Sequence, residues 1–132
     1  MKQDQNWLAE MESRRRDDEP SPGQEMADLM CRTDEVLKGL SPKDGAKLRE
    51  LSAGWRELVL AGYALSCGYA PHTADGVEEL LTAAPEGTAW RAENLRLTRA
   101  AEALADTVPE ALPLSDRWDD LCTLALVLGQ RR

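Results

Sequence analysis

Residues 58–67, in the middle of the chain, include no charged side chain. They continue a segment, 42–58, whose apolar residues recur every three or four positions, as on one face of a helix. Ser41 offers an N-cap oxygen and Pro42 suits the first helical position, while Gly68 suits the end. Because a helix that is apolar on every side must be covered on every side, residues 58–67 are predicted to form the centre of the core.

Composition extends this expectation from one helix to the whole chain. Leucine (20) and alanine (18) supply most of the apolar side chains among 132 residues, whereas Phe and Ile are absent and Val occurs five times. Helices favour Ala and Leu, while strands favour β-branched and aromatic side chains. The predicted fold class is therefore all-α, built of packed helical hairpins.

Breaks in the pattern divide the chain into two predicted parts. Residues 1–23 hold one short apolar stripe, a run of charges and a Pro-Ser-Pro-Gly sequence, so we expect an N-terminal arm that is flexible or ordered by a partner. Residues 24–132 are expected to form the helical domain. The helices predicted in it cover about 24–40, 42–68, 73–84, 89–107 and 115–128.

Capping residues and helix breakers set the limits of the last three helices. Thr73, Thr88 and Ser115 are candidate N-caps, since each side-chain oxygen can accept a hydrogen bond from a free amide of the first turn. Pro85 is expected to end the helix before it, because proline cannot extend a helix. Gly129 is expected to close the last helix.

The charge balance makes nucleic acids and membranes poor candidates for partners. Asp and Glu number 24 against 16 Lys and Arg, which gives a net charge of −8. The basic cluster at 14–16 is cancelled by three acidic residues that follow it, whereas nucleic-acid binding needs an uncancelled basic surface. No run of about 18 uncharged apolar residues is present for membrane insertion.

Cysteine use and the charged start of the chain favour a cytoplasmic location. Cys31, Cys67 and Cys122 are widely spaced and form no CxxC pair, which is typical of a reducing compartment. The first segment lacks the apolar stretch of a secretory signal.

Candidates for catalysis are few, and no enzyme is expected. Cys67 and His72 invite comparison with a Cys–His nucleophile, but no third group accompanies them. Asp75, Glu78 and Glu79 beside His72 could ligate a divalent ion, yet acids in the first turn of a helix also favour its dipole. Phosphate-binding loops, nucleophile elbows and metalloprotease motifs are absent, so neither a cofactor nor a metal is expected.

Glycine and proline residues in the segment 58–85 occupy positions that are typical of a known helical repeat. Tetratricopeptide (TPR) repeats place a small residue where two helices cross, a glycine in the turn and a proline after the second helix. Gly62, Gly68 and Pro85 occupy these roles here, although Gly62 lies one residue too near Gly68. Gly68 is expected to adopt the left-handed conformation that closes a helix. A generic helical hairpin would carry similar signals.

Several short stretches resemble the small TPR-like chaperones of bacterial type III secretion. These stretches are Cys-Gly-Tyr-Ala at 67–70 and Leu-Leu-Thr at 80–82, which leads to Pro-Glu at 85–86. Trp-Asp-Asp-Leu-Cys at 118–122 also looks like the last helix of the needle-subunit chaperone of that group. The resemblance covers roughly residues 55–129, a little over half of the chain.

The resemblance implies a protein that grips an aggregation-prone export subunit or co-chaperone until secretion. About two repeats fit the chain, whereas stacked repeats usually need about three to bury a continuous core, so a partner helix is expected to complete an apolar groove. Tyr63, Trp90 and Leu97 are the expected anchors, and the alternative is that they are core residues. The TPR pattern would place six residues on the concave side of the groove: Val59, Tyr63, Ser66, Trp90, Glu93 and Leu97.

Two other functions remain open on the sequence alone. The chain could be a self-contained helical bundle, a small acidic regulator or inhibitor that binds a basic partner through its surface. It could also be a homodimer joined through residues 24–68. Salt would weaken the first kind of complex strongly, whereas binding driven by apolar burial would resist salt.

Overall fold

A computed structural model describes residues 2–69 and 76–131 of the chain. The described ranges contain no strand, which confirms the predicted all-α class. Six helices occur in them: α1 Lys2–Arg14, α2 Pro22–Leu37, α3 Pro42–Gly68, α4 Gly76–Ala83, α5 Pro85–Leu104 and α6 Ala111–Gln130.

Helix α3 is the centre of the fold and has the limits that its caps predicted. The hydroxyl oxygen of Ser41, its N-cap, accepts a hydrogen bond from the Asp44 amide at 3.2 Å. The helix contacts α6, α5 and α2 along its length. Within 58–67 most residues are buried, but Ala61 and Cys67 are exposed. This segment is therefore core, although it is not covered on every side.

Helix α6 packs on α3 more extensively than any other helix does. The Ser66 hydroxyl donates a hydrogen bond to the Leu126 carbonyl at 2.7 Å, inside the interface. Gly129 lies against the backbone of α3, since a Cβ at this position would be 2.8 Å from the Tyr63 carbonyl oxygen and 2.5 Å from the Ser66 Cβ. The absence of a side chain at residue 129 thus allows the two helices to approach closely.

Helix α6 is longer at both ends than predicted. It begins at Ala111, so Ser115 is a buried residue of the helix rather than its N-cap. Gly129 lies inside the helix instead of closing it. Between these positions Trp118 stacks on Trp55 of α3, with the ring centroids 6.2 Å apart. The predicted start and stop signals of this helix are therefore packing residues.

The α4–α5 connection differs from the prediction because Pro85 begins a helix instead of ending one. Pro85 occupies the first turn of α5, where the missing proline amide costs nothing. The Thr88 hydroxyl donates to the Pro85 carbonyl at 2.9 Å, so it is not an N-cap. Gly87 packs on the backbone of α4, since a Cβ there would lie 1.7 Å from the Leu80 carbonyl oxygen. The predicted cap Thr73 lies outside the described residues.

The hairpin predicted over residues 58–85 is not the main packing unit. Within the described ranges α4 packs on α5 and α6, while α3 packs mostly on α6 and α5. The left-handed conformation predicted for Gly68 is wrong, since no described glycine has a positive φ. Gly68 is the last residue of α3, and the chain leaves the helix through extended backbone at Tyr69.

The N-terminal segment packs on the chain's own core. Met11 of α1 is fully buried, and α1 contacts α2, α3 and α6. The Arg14 guanidinium donates to the Gly129 carbonyl at 3.2 Å and lies over the Tyr63 ring, 5.4 Å from its centroid. In its described part, the segment predicted as an N-terminal arm therefore contains a helix that contacts the helical domain itself.

The junction between α1 and α2 is also tied to the rest of the chain. Glu19 accepts a hydrogen bond from the Arg131 guanidinium at 2.8 Å, and this contact lowers the pKa of Glu19 to about 2. The Ser21 hydroxyl oxygen accepts from the Gln24 amide at 3.2 Å and caps α2. Helix α2 therefore begins at Pro22, just before the predicted domain boundary.

Replacing Gly129 by alanine should destabilise the fold by about 1–3 kcal/mol, the cost typical of overpacking. The new Cβ would collide with the Ser66 Cβ and the Tyr63 carbonyl oxygen, and a backbone atom cannot move aside cheaply. Urea denaturation followed by circular dichroism measures the change in the free energy of unfolding.

Gly68→Ala is the matched control on α3, the helix that Gly129 contacts. A Cβ at Gly68 would meet no atom within 4 Å, and the φ of Gly68 is not positive. Alanine should therefore leave the stability unchanged or raise it by about 0.5–1 kcal/mol. An equal loss of stability in both variants, or no loss in Gly129→Ala, would contradict the close approach of α6 to α3.

Candidate functional site

Three of the six residues predicted to bind a partner lie in the core, under α6. Val59 and Ser66 are 0% exposed and Tyr63 is 1% exposed. Burial is the main reason that the pKa of the Tyr63 hydroxyl is raised, and interaction with Cys67 raises it further. The structure therefore corrects the prediction for these residues, because the chain's own last helix covers the face of α3 that was assigned to a partner.

Trp90 and Leu97 are also buried, between α3 and α5. The Trp90 indole donates from Nε1 to the Leu58 carbonyl at 2.8 Å. Its ring lies against Gly62, where a Cβ would be 3.0 Å from the Trp90 Nε1, so the close approach predicted at Gly62 is made by this ring. Leu97 packs on Gly54, where a Cβ would be 2.9 Å from the leucine Cδ2. Both predicted anchors thus join two helices of the same chain.

Helices α3 and α5 run antiparallel and leave a groove between their outer faces. At one end the Thr107 hydroxyl lies 3.4 Å from a carboxylate oxygen of Asp44, and at the other Trp90 meets Leu58. The deeper part of this α3–α5 groove has a volume of about 520 Å³. Its lining is Lys43, Asp44, Lys47, Glu50 and Leu51 on one side and Arg96, Leu97, Ala100, Ala103, Leu104, Asp106 and Thr107 on the other.

The groove continues along α3 as a shallower channel of about 420 Å³. The two parts share Glu50 and Arg96. The floor of the channel consists largely of small residues, and its lining adds Ala53, Gly54, Glu57, Leu58, Ala61 and Glu93. From Lys43 to Ala61 the groove follows about 27 Å of α3, at roughly 1.5 Å per residue. This length equals about five turns of a helix.

The rim of the α3–α5 groove carries charges of both signs. Glu93, the predicted site residue that stays partly exposed, accepts two hydrogen bonds from the Arg96 Nε, at 3.0 and 3.1 Å. This pairing lowers the pKa of Glu93 and raises that of Arg96. Glu50 and Glu57 are exposed, and neither makes an ion pair or a side-chain hydrogen bond within the described ranges. The middle of the groove therefore has two free carboxylates.

The groove residues that sequence analysis missed follow a pattern of their own. Along α3 the residues at 43, 47, 50, 54, 57 and 61 recur at intervals of four and three. Such spacing marks one face of a helix whatever the polarity of the residues. The residues predicted for a partner, such as Val59 and Tyr63, stand two positions further along, which is about 200° around the helix. The sequence thus assigned the partner to a face of α3 that is buried in the structure.

A second opening, of about 390 Å³, lies between α2 and α6. It is shorter than the α3–α5 groove, and the arginines on its rim are already paired. Arg117 binds Glu25 at 2.8 Å and Asp28 at 3.0 Å, and Arg32 binds Asp28 at 2.9 Å. We therefore take the α3–α5 groove as the candidate site.

The residues considered for catalysis or metal binding are only partly described. His72 and Asp75 lie outside the described residues. Cys67 is exposed, and its sulfur accepts a hydrogen bond from the Arg14 Nη1 at 3.3 Å. Glu78 lies 3.5 Å from the Arg91 guanidinium. Cys67 and Glu78 are thus paired with arginines of the same chain.

No protein-family model, no curated protein and no solved structure matches this chain. No described helix is both long enough and apolar enough to cross a membrane. Across residues 2–69 and 76–131, His, Cys, Asp and Glu side chains do not gather in groups of three that could hold a metal ion. The geometry of the α3–α5 groove is the feature from which we derive a function.

Replacing Trp90 by phenylalanine should destabilise the isolated chain by about 1–3 kcal/mol. The smaller ring leaves a void against Gly62, and the Leu58 carbonyl loses the indole donor that it accepts at 2.8 Å. Thermal unfolding without any partner measures the loss. Leu95→Ala, at a position 48% exposed on the same helix, should stay within about 0.5 kcal/mol of the parent. If Trp90→Phe is as stable as the parent, Trp90 does not hold α3 and α5 together and becomes a candidate for contact with a partner again.

Proposed function

We propose that this protein is a chaperone or adaptor that holds an amphipathic helix of another protein in the α3–α5 groove. The observation that carries the proposal is the length and lining of that groove, which follows about 27 Å of α3 and has a floor of largely small residues between two charged rims. A helix laid in a groove with its apolar face down is a recurring mode of protein recognition.

Small residues make this groove suitable for a helix rather than for an extended strand. Ala53 and Gly54 of α3 line the shallower channel, while Ala100 and Ala103 of α5 line the deeper part of the groove. Helix axes approach to about 8–10 Å, and the distance is shorter where the residues between them are small. Beneath them Leu51 and Leu97 are 6% and 2% exposed, so only their edges reach the groove. A partner helix would add the apolar side chains that the groove lacks.

The class of client follows from the resemblance to TPR-like chaperones of type III secretion. The resemblance implies that the partner lies between helices of the TPR-like region, and the α3–α5 groove is an open surface of that region that has the length of a helix. We propose that the client is a secretion subunit or co-chaperone with an exposed amphipathic helix. A protein of this kind would work in the cytoplasm, where clients await export.

A photo-reactive amino acid at position 103 should crosslink the client in cells that express the protein naturally. Ala103 is exposed and lines the groove, so a reactive group there would touch a bound helix. Mass spectrometry of the crosslinked peptide should identify a segment with apolar residues at helical spacing. A synthetic peptide of that segment should then bind the purified protein, and Ala103→Trp should weaken the binding at least about tenfold by filling the groove.

Position 27 supplies the control. Ala27 is exposed on α2 and outside the groove, so the same photo-reactive group there should give no crosslink to this segment. Ala27→Trp should leave the peptide affinity unchanged. Crosslinks of equal yield at both positions, or an affinity that Ala103→Trp does not alter, would exclude the groove as the binding site.

A further inference from the structure

We propose that the helix held in the α3–α5 groove is basic, with two Lys or Arg side chains about seven residues apart that pair with Glu50 and Glu57. This inference rests on the proposed function and adds to it the chemistry by which the partner is selected. The two carboxylates stand two turns apart on α3, at about 10 Å along its axis. Residues seven apart on a partner helix have the same spacing.

Glu50 and Glu57 are exposed carboxylates in the middle of the groove. Glu93, on the opposite rim, is neutralised by Arg96, which binds it through two hydrogen bonds. Glu50 and Glu57 have no such partner in the part of the chain that the structure describes. Glu50 adds only a minor attraction to Arg96. A helix that enters this section therefore meets two carboxylates that form no ion pair with a described side chain.

The charges at the opposite end of the groove do not reverse the preference for a basic helix. Lys43 and Lys47 line that end together with Asp44 and Asp106, which makes two side chains of each charge. An acidic helix would face repulsion at Glu50 and Glu57 without a matching gain at the lysines. A basic helix gains electrostatic attraction at the two carboxylates and meets little net repulsion elsewhere in the groove. Charge complementarity of this kind mainly excludes wrong partners.

A second copy of this chain is a poor occupant for the same reason. The protein has a net charge of −8, so two copies repel each other. The chain's own terminal helices are already docked, α1 through Met11 and α6 through Gly129. The charge pattern thus favours a helix of a different, basic protein segment.

Two synthetic peptides test the inference directly. Each has roughly 18 residues, the length of the groove, and the same leucine stripe. One carries lysines beside the stripe, about seven residues apart, and the other carries glutamates at the same places. Fluorescence anisotropy with the full-length protein should show that the lysine peptide binds about tenfold more tightly, a preference that two exposed charge pairs can supply.

Variants of Glu50 and Glu57 test whether these two residues cause the preference for the lysine peptide. Glu50→Gln with Glu57→Gln should abolish it, and Glu50→Lys with Glu57→Lys should reverse it. Glu102→Gln with Asp116→Asn removes the same charge from exposed positions outside the groove and should preserve it. If the control pair abolishes the preference as well, attraction to the whole acidic surface explains the binding and the inference is overturned.

The remaining outcomes separate this inference from the function on which it rests. If both peptides bind equally and Ala103→Trp weakens both, the groove holds helices without regard to charge, so the inference fails and the function stands. If neither peptide binds, the inference fails, and crosslinking at position 103 decides the function by itself. Light scattering tests whether a second copy is the occupant. If the parent protein has twice the mass of 14.6 kDa, and Glu50→Lys with Glu57→Lys halves that mass, a second copy occupies the groove and the inference is overturned.

Discussion

Gly129 brings α6 onto the backbone of α3, and the buried Ser66 hydroxyl donates to the Leu126 carbonyl at 2.7 Å within this contact. A buried hydroxyl without a partner would cost about 1–3 kcal/mol, so the hydrogen bond sets the register of the two helices. The Arg14 guanidinium donates to the Gly129 carbonyl and ties α1 to the same place. The apolar half of α3 is therefore covered by helices of its own chain.

The open surface of the molecule is a consequence of that docking. Once α6 occupies the Tyr63 face of α3, the face left open is the one with Glu50, Gly54 and Glu57. This face meets α5 along small residues, which leaves a groove of helical length rather than a filled interface. Its floor offers little apolar area, so charge on the rim has a larger share in choosing a partner than it would have in a deep apolar cleft.

Local sequence signals predicted the positions of the helices well, but they did not predict how the helices pack against one another. Ser41 and Pro42 marked the start of α3 because capping depends on neighbouring residues alone. Pro85 suits the first turn of one helix as well as the end of another, so its role depends on which helix forms. Gly129 was interpreted as a terminator because its contact with α3 is distant in sequence. The face of α3 that the sequence assigned to a partner is buried for the same reason, since the packing of α6 determines which face of α3 stays exposed.

Thiol labelling tests most directly whether α6 covers one face of α3 and leaves the α3–α5 groove open. In a Cys31→Ser, Cys67→Ser background, a cysteine at position 103 should react with Ellman's reagent at the rate of an exposed thiol, while one at position 66 should be protected. Native Cys122, which is 1% exposed and whose pKa is raised by burial, is the unreactive internal reference. Protection at position 103, or rapid reaction at position 66 in the folded protein, would contradict this arrangement of the helices.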